Sequence, residues 1–125
     1  MRLDELSHAT IGAAVEVHRE LGPGLLESLY EEALAIELGR RHLKVGRQVE
    51  VPVQYKGQRL GTALRLDLLV EDRIIVEVKS VEALLGVHKA QLLTYLRLSD
   101  RRLGLLLNFN APRLLDGVHR LANNL

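Results

Sequence analysis

The sequence contains no cysteine. Disulfide staples, thiolate zinc sites and cysteine nucleophiles are therefore excluded. Aromatic residues are scarce, with three Tyr, one Phe and no Trp. Stacking of single-stranded bases on aromatic platforms thus has few candidates. No apolar run approaches the roughly 18 residues that would cross a bilayer, and the longest candidate, from Leu103 to Leu107, contains Gly104. The opening stretch MRLDELSHAT mixes charges among its apolar residues, unlike the continuous apolar segment of a signal peptide. A charge imbalance is missing too: 17 Lys+Arg stand against 16 Asp+Glu, for a net charge of +1. Such a balance neither favours nor rejects nucleic acid, because a basic patch can form on a near-neutral protein. These absences fit a cytoplasmic location and no membrane partner.

What is present reads as one globular domain over residues 1–125, 47% hydrophobic and 26% charged. Leu3, Leu6, Thr10, Ala13, Ala14, Val17 and Leu21 recur at helical spacing and predict a helix over roughly residues 3–21. Gly22-Pro23-Gly24 breaks it. A second helical pattern runs through Leu25, Leu26, Leu29, Ala33, Ile36 and Leu38. From Val45 to Tyr55 the residues become β-rich and mostly alternate with polar ones. After a turn at Lys56-Gly57 come strands ending in LRLDLLV (64–70) and IIVEVK (74–79). A third helix is expected over residues 86–99, with Val87, Ala90, Leu93, Leu96 and Leu98 as its apolar positions. LGLLLNF (103–109) reads as a strand buried on both faces. The tail from Val118 to Leu121 fits a short strand or a helical turn equally well. The order is α-α-β-β-β-α-β, an α/β chain of the α+β type with a mixed sheet and helices against it.

Two acids meet in the hairpin. Alternate strand residues share a face, so Leu66, Leu68 and Val70 are expected on one side and Arg65, Asp67 and Leu69 on the other. On the next strand Ile74, Val76 and Val78 oppose Ile75, Glu77 and Lys79. A three-residue loop, Glu71 to Arg73, aligns the apolar faces, and it sets Asp67 opposite Glu77 and Arg65 opposite Lys79. Opposed carboxylates repel. A divalent cation would offset that repulsion, and carboxylate oxygens suit Mg2+ or Mn2+. Lys79 lies on the same face, diagonal to Asp67. On the residues alone, a surface salt-bridge cluster explains the trio as well as a metal site does. Leu69 and Ile75 on the same face argue that a helix covers it, and charges there need a partner.

Asp67 followed on the next strand by Glu77-Val78-Lys79 resembles the Asp…(Asp/Glu)-x-Lys signature of the PD-(D/E)xK nuclease superfamily. VHRELGPGLLESLYEEAL resembles the defining segment of its GxxExxY branch, with Gly24, Glu27 and Tyr30 at the named positions. YKGQRLG, RLDLLV, IIVEVKS, HKAQLLTYL and LGLLLNFN follow in that family's order, so the likeness covers roughly residues 5–122. No Pro precedes Asp67, a departure that the superfamily tolerates. The resemblance implies a restriction-endonuclease-like core, a central four-stranded mixed β-sheet flanked by α-helices. It also implies Mg2+-dependent hydrolysis of phosphodiester bonds, in DNA ahead of RNA.

The same resemblance implies roles. Asp67, Glu77 and the backbone carbonyl of Val78 would hold the metal, with Glu27 from the second helix completing its shell. Lys79 would orient or help deprotonate the attacking water and stabilise charge at phosphorus. Gln91 and Tyr95 match a Gln-x-x-x-Tyr element, and Gln91 would bond the phosphate, the water or Lys79. Arg65, Tyr30, His88 and Tyr95 are candidates for substrate contact. Tyr30 suits packing with a bonded hydroxyl better than substrate contact. A non-cleaving nucleic-acid-binding or protein-interaction module on the same fold is the alternative. A homodimer or larger assembly would complete a groove that so small a domain offers only in part.

Overall fold

The computed structural model describes residues 1–124. Helix α1 covers Leu3–Leu21 and α2 covers Glu27–Arg40. Strand β1 (Val45–Val51) is followed by a two-stranded ribbon, β2 (Gln54–Tyr55) and β3 (Gln58–Arg59). Strands β4 (Leu64–Val70) and β5 (Ile74–Lys79) form the hairpin, α3 (Gly86–Leu98) crosses over, and β6 (Leu103–Asn108) and β7 (Val118–Ala122) close the order. The β-rich stretch expected from Val45 to Tyr55 is divided at Pro52, which has no N–H for a ladder. The ribbon turns at Lys56 and Gly57, both at positive φ.

The main sheet has the order β1-β4-β5-β6-β7. Neighbours are antiparallel except β5 and β6, which run parallel as the α3 crossover requires. The tail resolves into a strand, so the sheet has five strands where four were expected. Its edge member β7 pairs with β6 from Leu103–Ala122 to Leu107–Val118.

Helices lie on both faces. Leu6, Ala13, Ala14 and Val17 of α1 and Tyr30, Leu34 and Leu38 of α2 pack with Leu68, Val70, Ile74, Val76 and Val78. On the other face Leu92 and Leu96 of α3 pack with Leu66, Leu69, Ile75 and Leu106. The buried stripes of α2 and α3 are thus i, i+4 series. Leu26 just before α2, Leu29 and Ile36 on it, and Val87, Leu93 and Leu98 on α3, are exposed, against the expectation that they face the core. Both helices carry apolar residues around much of their girth, and periodicity alone selects the wrong stripe. Gly104 lets α3 approach closely: a Cβ there would come within 2.9 Å of Leu92.

Candidate active site

The turn Glu71–Arg73 sets the hairpin register as the alternation predicts. Val70 pairs with Ile74, Leu69 with Ile75 and Leu68 with Val76. The Arg73 N–H closes the turn on Val70 O at 2.9 Å, with Glu71 and Asp72 both at positive φ. One step beyond Leu68–Val76, Asp67 stands opposite Glu77, and carboxylates take over from main-chain carbonyls. The Asp67 N–H donates to Glu77 Oε2 at 3.0 Å, and the Val78 N–H donates to Asp67 Oδ2 at 2.9 Å.

The other flank of β4 is interrupted at the same level. β1 pairs with β4 at Arg47–Leu68 and Val49–Leu66, while Gln48 and Asp67 between them form no ladder pair. Gln48 takes φ 50, a left-handed conformation uncommon for a residue with a Cβ. Across this break the strand changes faces. Leu68 packs on the α1/α2 side, but Leu66 packs with Leu69 and Ile75 under α3. The expectation that Leu66, Leu68 and Val70 share one face therefore fails at Asp67, because strict alternation holds only along an unbroken strand. The break turns Asp67 toward α2. There it lines a pocket of about 200 Å³ with Glu27, Ser28, Glu31, Gln48 and Val78.

Glu31, which no motif singles out, also lines this pocket. It is buried one turn beyond Glu27, and its carboxylate accepts Arg47 Nη2 at 3.1 Å and Gln48 Nε2 at 2.7 Å. The i, i+4 spacing from Glu27 places both on one helix face, which was the available clue. Gln48 offered none, since a left-handed glutamine has no sequence signature.

Electrostatics mark the carboxylate pair. Burial pushes Glu77 up to about 8, and the negative charge of Asp67 adds to the rise. The Asp67 N–H and the Lys79 charge oppose it. Asp67 is raised as well, chiefly by burial, with the Val78 N–H pulling the other way and Glu31 pushing it further up. Lys79 is half-buried and makes no ion pair among the described residues. It stands near enough to lower both carboxylates while its ammonium stays available.

The donor set fits a hard divalent cation. Asp67 Oδ1 and Glu77 Oε1 accept no protein hydrogen bond among the described residues, and two like charges, one buried and one half-buried, call for a counter-charge. A proton on Glu77 is one answer; a cation bound by oxygen is the other. No group of three carboxylate or imidazole side chains suited to holding a metal occurs among the described residues. Any remaining ligands would come from main chain or water.

The other candidates divide. Glu27 borders the pocket, but its Oε2 accepts the Ser80 N–H at 3.0 Å. Tyr95 lies in the field of the pair: burial raises its phenol, and the charges of Glu77 and then Asp67 raise it further. Gln91, one turn earlier on α3, is exposed. His88 caps α3, its Nδ1 accepting the Leu85 N–H at 3.1 Å. Arg65 pairs with its β1 neighbour Glu50 at 3.1 Å. Tyr30 is fully buried and stacks on Phe109 with ring centroids 4.6 Å apart. Its hydroxyl donates to Gly22 O and accepts the Leu25 N–H. That leaves it no surface with which to meet a substrate: of the two roles expected for Tyr30, its surroundings fit packing and not substrate contact.

Helices on both faces of a mixed sheet, with Asp on one strand and Glu-x-Lys on the next, define a nuclease-type architecture. The chain belongs to the PD-(D/E)XK nuclease superfamily, whose sequence model matches residues 4–121. No curated protein and no solved structure matches it significantly.

Proposed function

We propose that this protein is a metal-dependent nuclease that hydrolyses phosphodiester bonds, in DNA rather than RNA, at Asp67, Glu77 and Lys79. The observation that carries this reading is the buried Glu77 and half-buried Asp67 carboxylates, beside a lysine that makes no ion pair among the described residues, at a break in the sheet. Asp67, Glu77 and the Val78 carbonyl would hold Mg2+ or Mn2+. Bound there, the cation would neutralise phosphate charge and make water a stronger acid. Lys79 orients the attacking water and stabilises negative charge at phosphorus as the scissile P–O bond breaks. Gln91, exposed on α3 one turn from Tyr95, would bond the phosphate, the water or Lys79. Gly24, Glu27 and Tyr30 at their spacing support assignment to the GxxExxY branch.

A second reading rests on a specific observation. Each carboxylate already serves a main-chain N–H, and no third acidic or imidazole side chain joins them as a metal donor among the described residues. Those facts suit a fold that binds nucleic acid without cutting it. Incubation of plasmid, single-stranded DNA and RNA with Mg2+ or Mn2+ separates the two. Cleavage by wild type and at least a ~100-fold loss in Lys79→Ala, the scale of removing a group that stabilises transition-state charge, supports the nuclease. Cleavage equal in wild type, Asp67→Ala and Lys79→Ala rejects it, and metal-independent binding without turnover favours the module.

A further inference from the structure

The Gly-x-x-Glu-x-x-Tyr segment makes a closed set of contacts around the chain that follows Lys79. We infer that Glu27 and Tyr30 are positioning residues for Lys79, acting through the main chain of β5 and the turn after it rather than as ligands to metal or substrate. This inference rests on the nuclease reading of Lys79, and its test below separates the two.

The contacts begin at the turn between α1 and α2. Gly22 and Gly24 both take positive φ there, and no neighbouring atom would obstruct a Cβ at either position. Glycine is thus selected by conformation rather than by space. The Tyr30 hydroxyl bridges Gly22 O and the Leu25 N–H, which fixes the turn against the first turns of α2. From that turn the Leu25 carbonyl accepts Ser80 Oγ at 2.6 Å. The first residue of α2, Glu27, accepts the Ser80 N–H through Oε2 at 3.0 Å. Residue 80 is therefore gripped through both its hydroxyl and its amide, immediately after Lys79.

The other side of Lys79 is tied to the same tyrosine. The Lys79 carbonyl accepts the Phe109 N–H at 2.9 Å. The Phe109 ring stacks on Tyr30 with an interplanar angle of 12°. Beyond Ser80, the buried Asn108 side chain accepts the Val81 N–H at 3.1 Å and donates to Val81 O at 2.9 Å. Residues 79, 80 and 81 are thus each fixed through the main chain, and two of the three ties lead back to Glu27 or Tyr30. Among the described residues the lysine itself forms no ion pair that would hold its ammonium. Its direction is set by the backbone from which it springs.

Glu27 as a metal ligand makes the opposite prediction, because a ligand needs charge whereas a latch needs only an acceptor. Glutamine keeps the carbonyl oxygen that accepts the Ser80 N–H and removes the charge. The test therefore compares Glu27→Gln with Glu27→Ala in the full chain, by two readouts. Amide hydrogen exchange at Ser80 reports the latch without reference to activity, and Mn2+ affinity by calorimetry reports ligation. We expect Glu27→Gln to keep Ser80 protected and Mn2+ affinity within about twofold of wild type. Glu27→Ala should lose the Ser80 protection. Where cleavage is measurable, Glu27→Ala should lose about 10- to 100-fold in rate, as for residues that orient a site from behind, with Glu27→Gln rescuing most of it. Equal loss of Mn2+ affinity in Gln and Ala variants would overturn the inference and make Glu27 a ligand. Unchanged Ser80 exchange in Glu27→Ala would overturn it as well. Absence of any cleavage in wild type would instead count against the nuclease reading, leaving the exchange and affinity results to decide the latch.

Discussion

Asp67 and Glu77 are cross-bonded through their neighbouring main chain: Glu77 Oε2 accepts the Asp67 N–H, and Asp67 Oδ2 accepts the N–H of Val78. Each acid thereby stands in for a ladder carbonyl and is drawn into the sheet. The hydrogen bonds orient one oxygen of each carboxylate and leave the other without a protein donor among the described residues. They also hold two like charges close together in a poorly solvated place, which is the source of the raised Glu77.

The pH dependence of stability follows from that shift. Glu77 rises from an ordinary value of 4.5 to about 8 in the fold, so folding favours its protonated form. Its contribution is complete below pH 4.5, declines as pH climbs, and is lost by pH 8 and above. Glu77→Gln keeps the shape and cannot ionise. Measured by thermal unfolding without metal, its advantage over wild type should be near zero at pH 4.5 and grow to a few kcal/mol, by order of magnitude, at pH 8.5. An advantage that stays constant over this range would show that Glu77 does not titrate with the fold.

Protons and a divalent cation compete for the same carboxylates. Mn2+ at 100 times its dissociation constant stabilises the fold by about 2.7 kcal/mol. At a fixed Mn2+ concentration the rise in Tm should therefore be larger at pH 8 than at pH 6, and it should disappear in Asp67→Ala. Equal rises at both pH values, or a rise retained in Asp67→Ala, would place the cation elsewhere.

Gly104 governs how closely α3 sits on the sheet. Gly104→Ala brings a methyl within 2.9 Å of one Leu92 methyl and 3.1 Å of the other. Overpacking of this kind costs about 1–3 kcal/mol, so denaturant unfolding should move to lower midpoints by that amount. Because Gln91 flanks Leu92 on α3, and Tyr95 follows one turn on, activity should fall by more than stability alone explains. An unchanged midpoint would mean that Leu92 has another rotamer at no cost.

Tyr30→Phe retains the stack on Phe109 and removes the hydroxyl that joins Gly22 to Leu25. The half-buried Leu25 N–H and Gly22 carbonyl lose a partner, at a cost of about 0.5–1.5 kcal/mol. Tyr30→Leu, which also loses the stack, should cost more. Equal destabilisation by the two substitutions would assign the effect of Tyr30 to its hydroxyl alone.

Much of this site can be read from the sequence, and the residues that cannot share a physical cause. The three-residue turn and the apolar pattern of 68–78 set the register that brings Asp67 opposite Glu77, because a slip by one residue would mix the acids with the valines on one face of the hairpin. The covering helix is legible in Leu69 and Ile75. Leu66 is misassigned because the face change depends on the left-handed Gln48 on a different strand. The exposed Leu26, Leu29 and Ile36 show the same limit from another side, since an apolar helix surface does not announce which stripe the sheet will cover. Glu31 and the Arg47–Gln48 clamp depend on tertiary approach of α2 to β1, which no local pattern encodes. Tyr30 and Glu27 are visible as a spacing, but their partners Gly22, Ser80 and Phe109 come from three separate segments.

The most direct measurement is a crystal grown in Mn2+ and examined by anomalous diffraction. The account predicts a peak in contact with carboxylate oxygens of both Asp67 and Glu77, beside the Val78 carbonyl, that vanishes in Asp67→Ala. Full occupancy of Mn2+ elsewhere on the molecule, with none between Asp67 and Glu77, would contradict it.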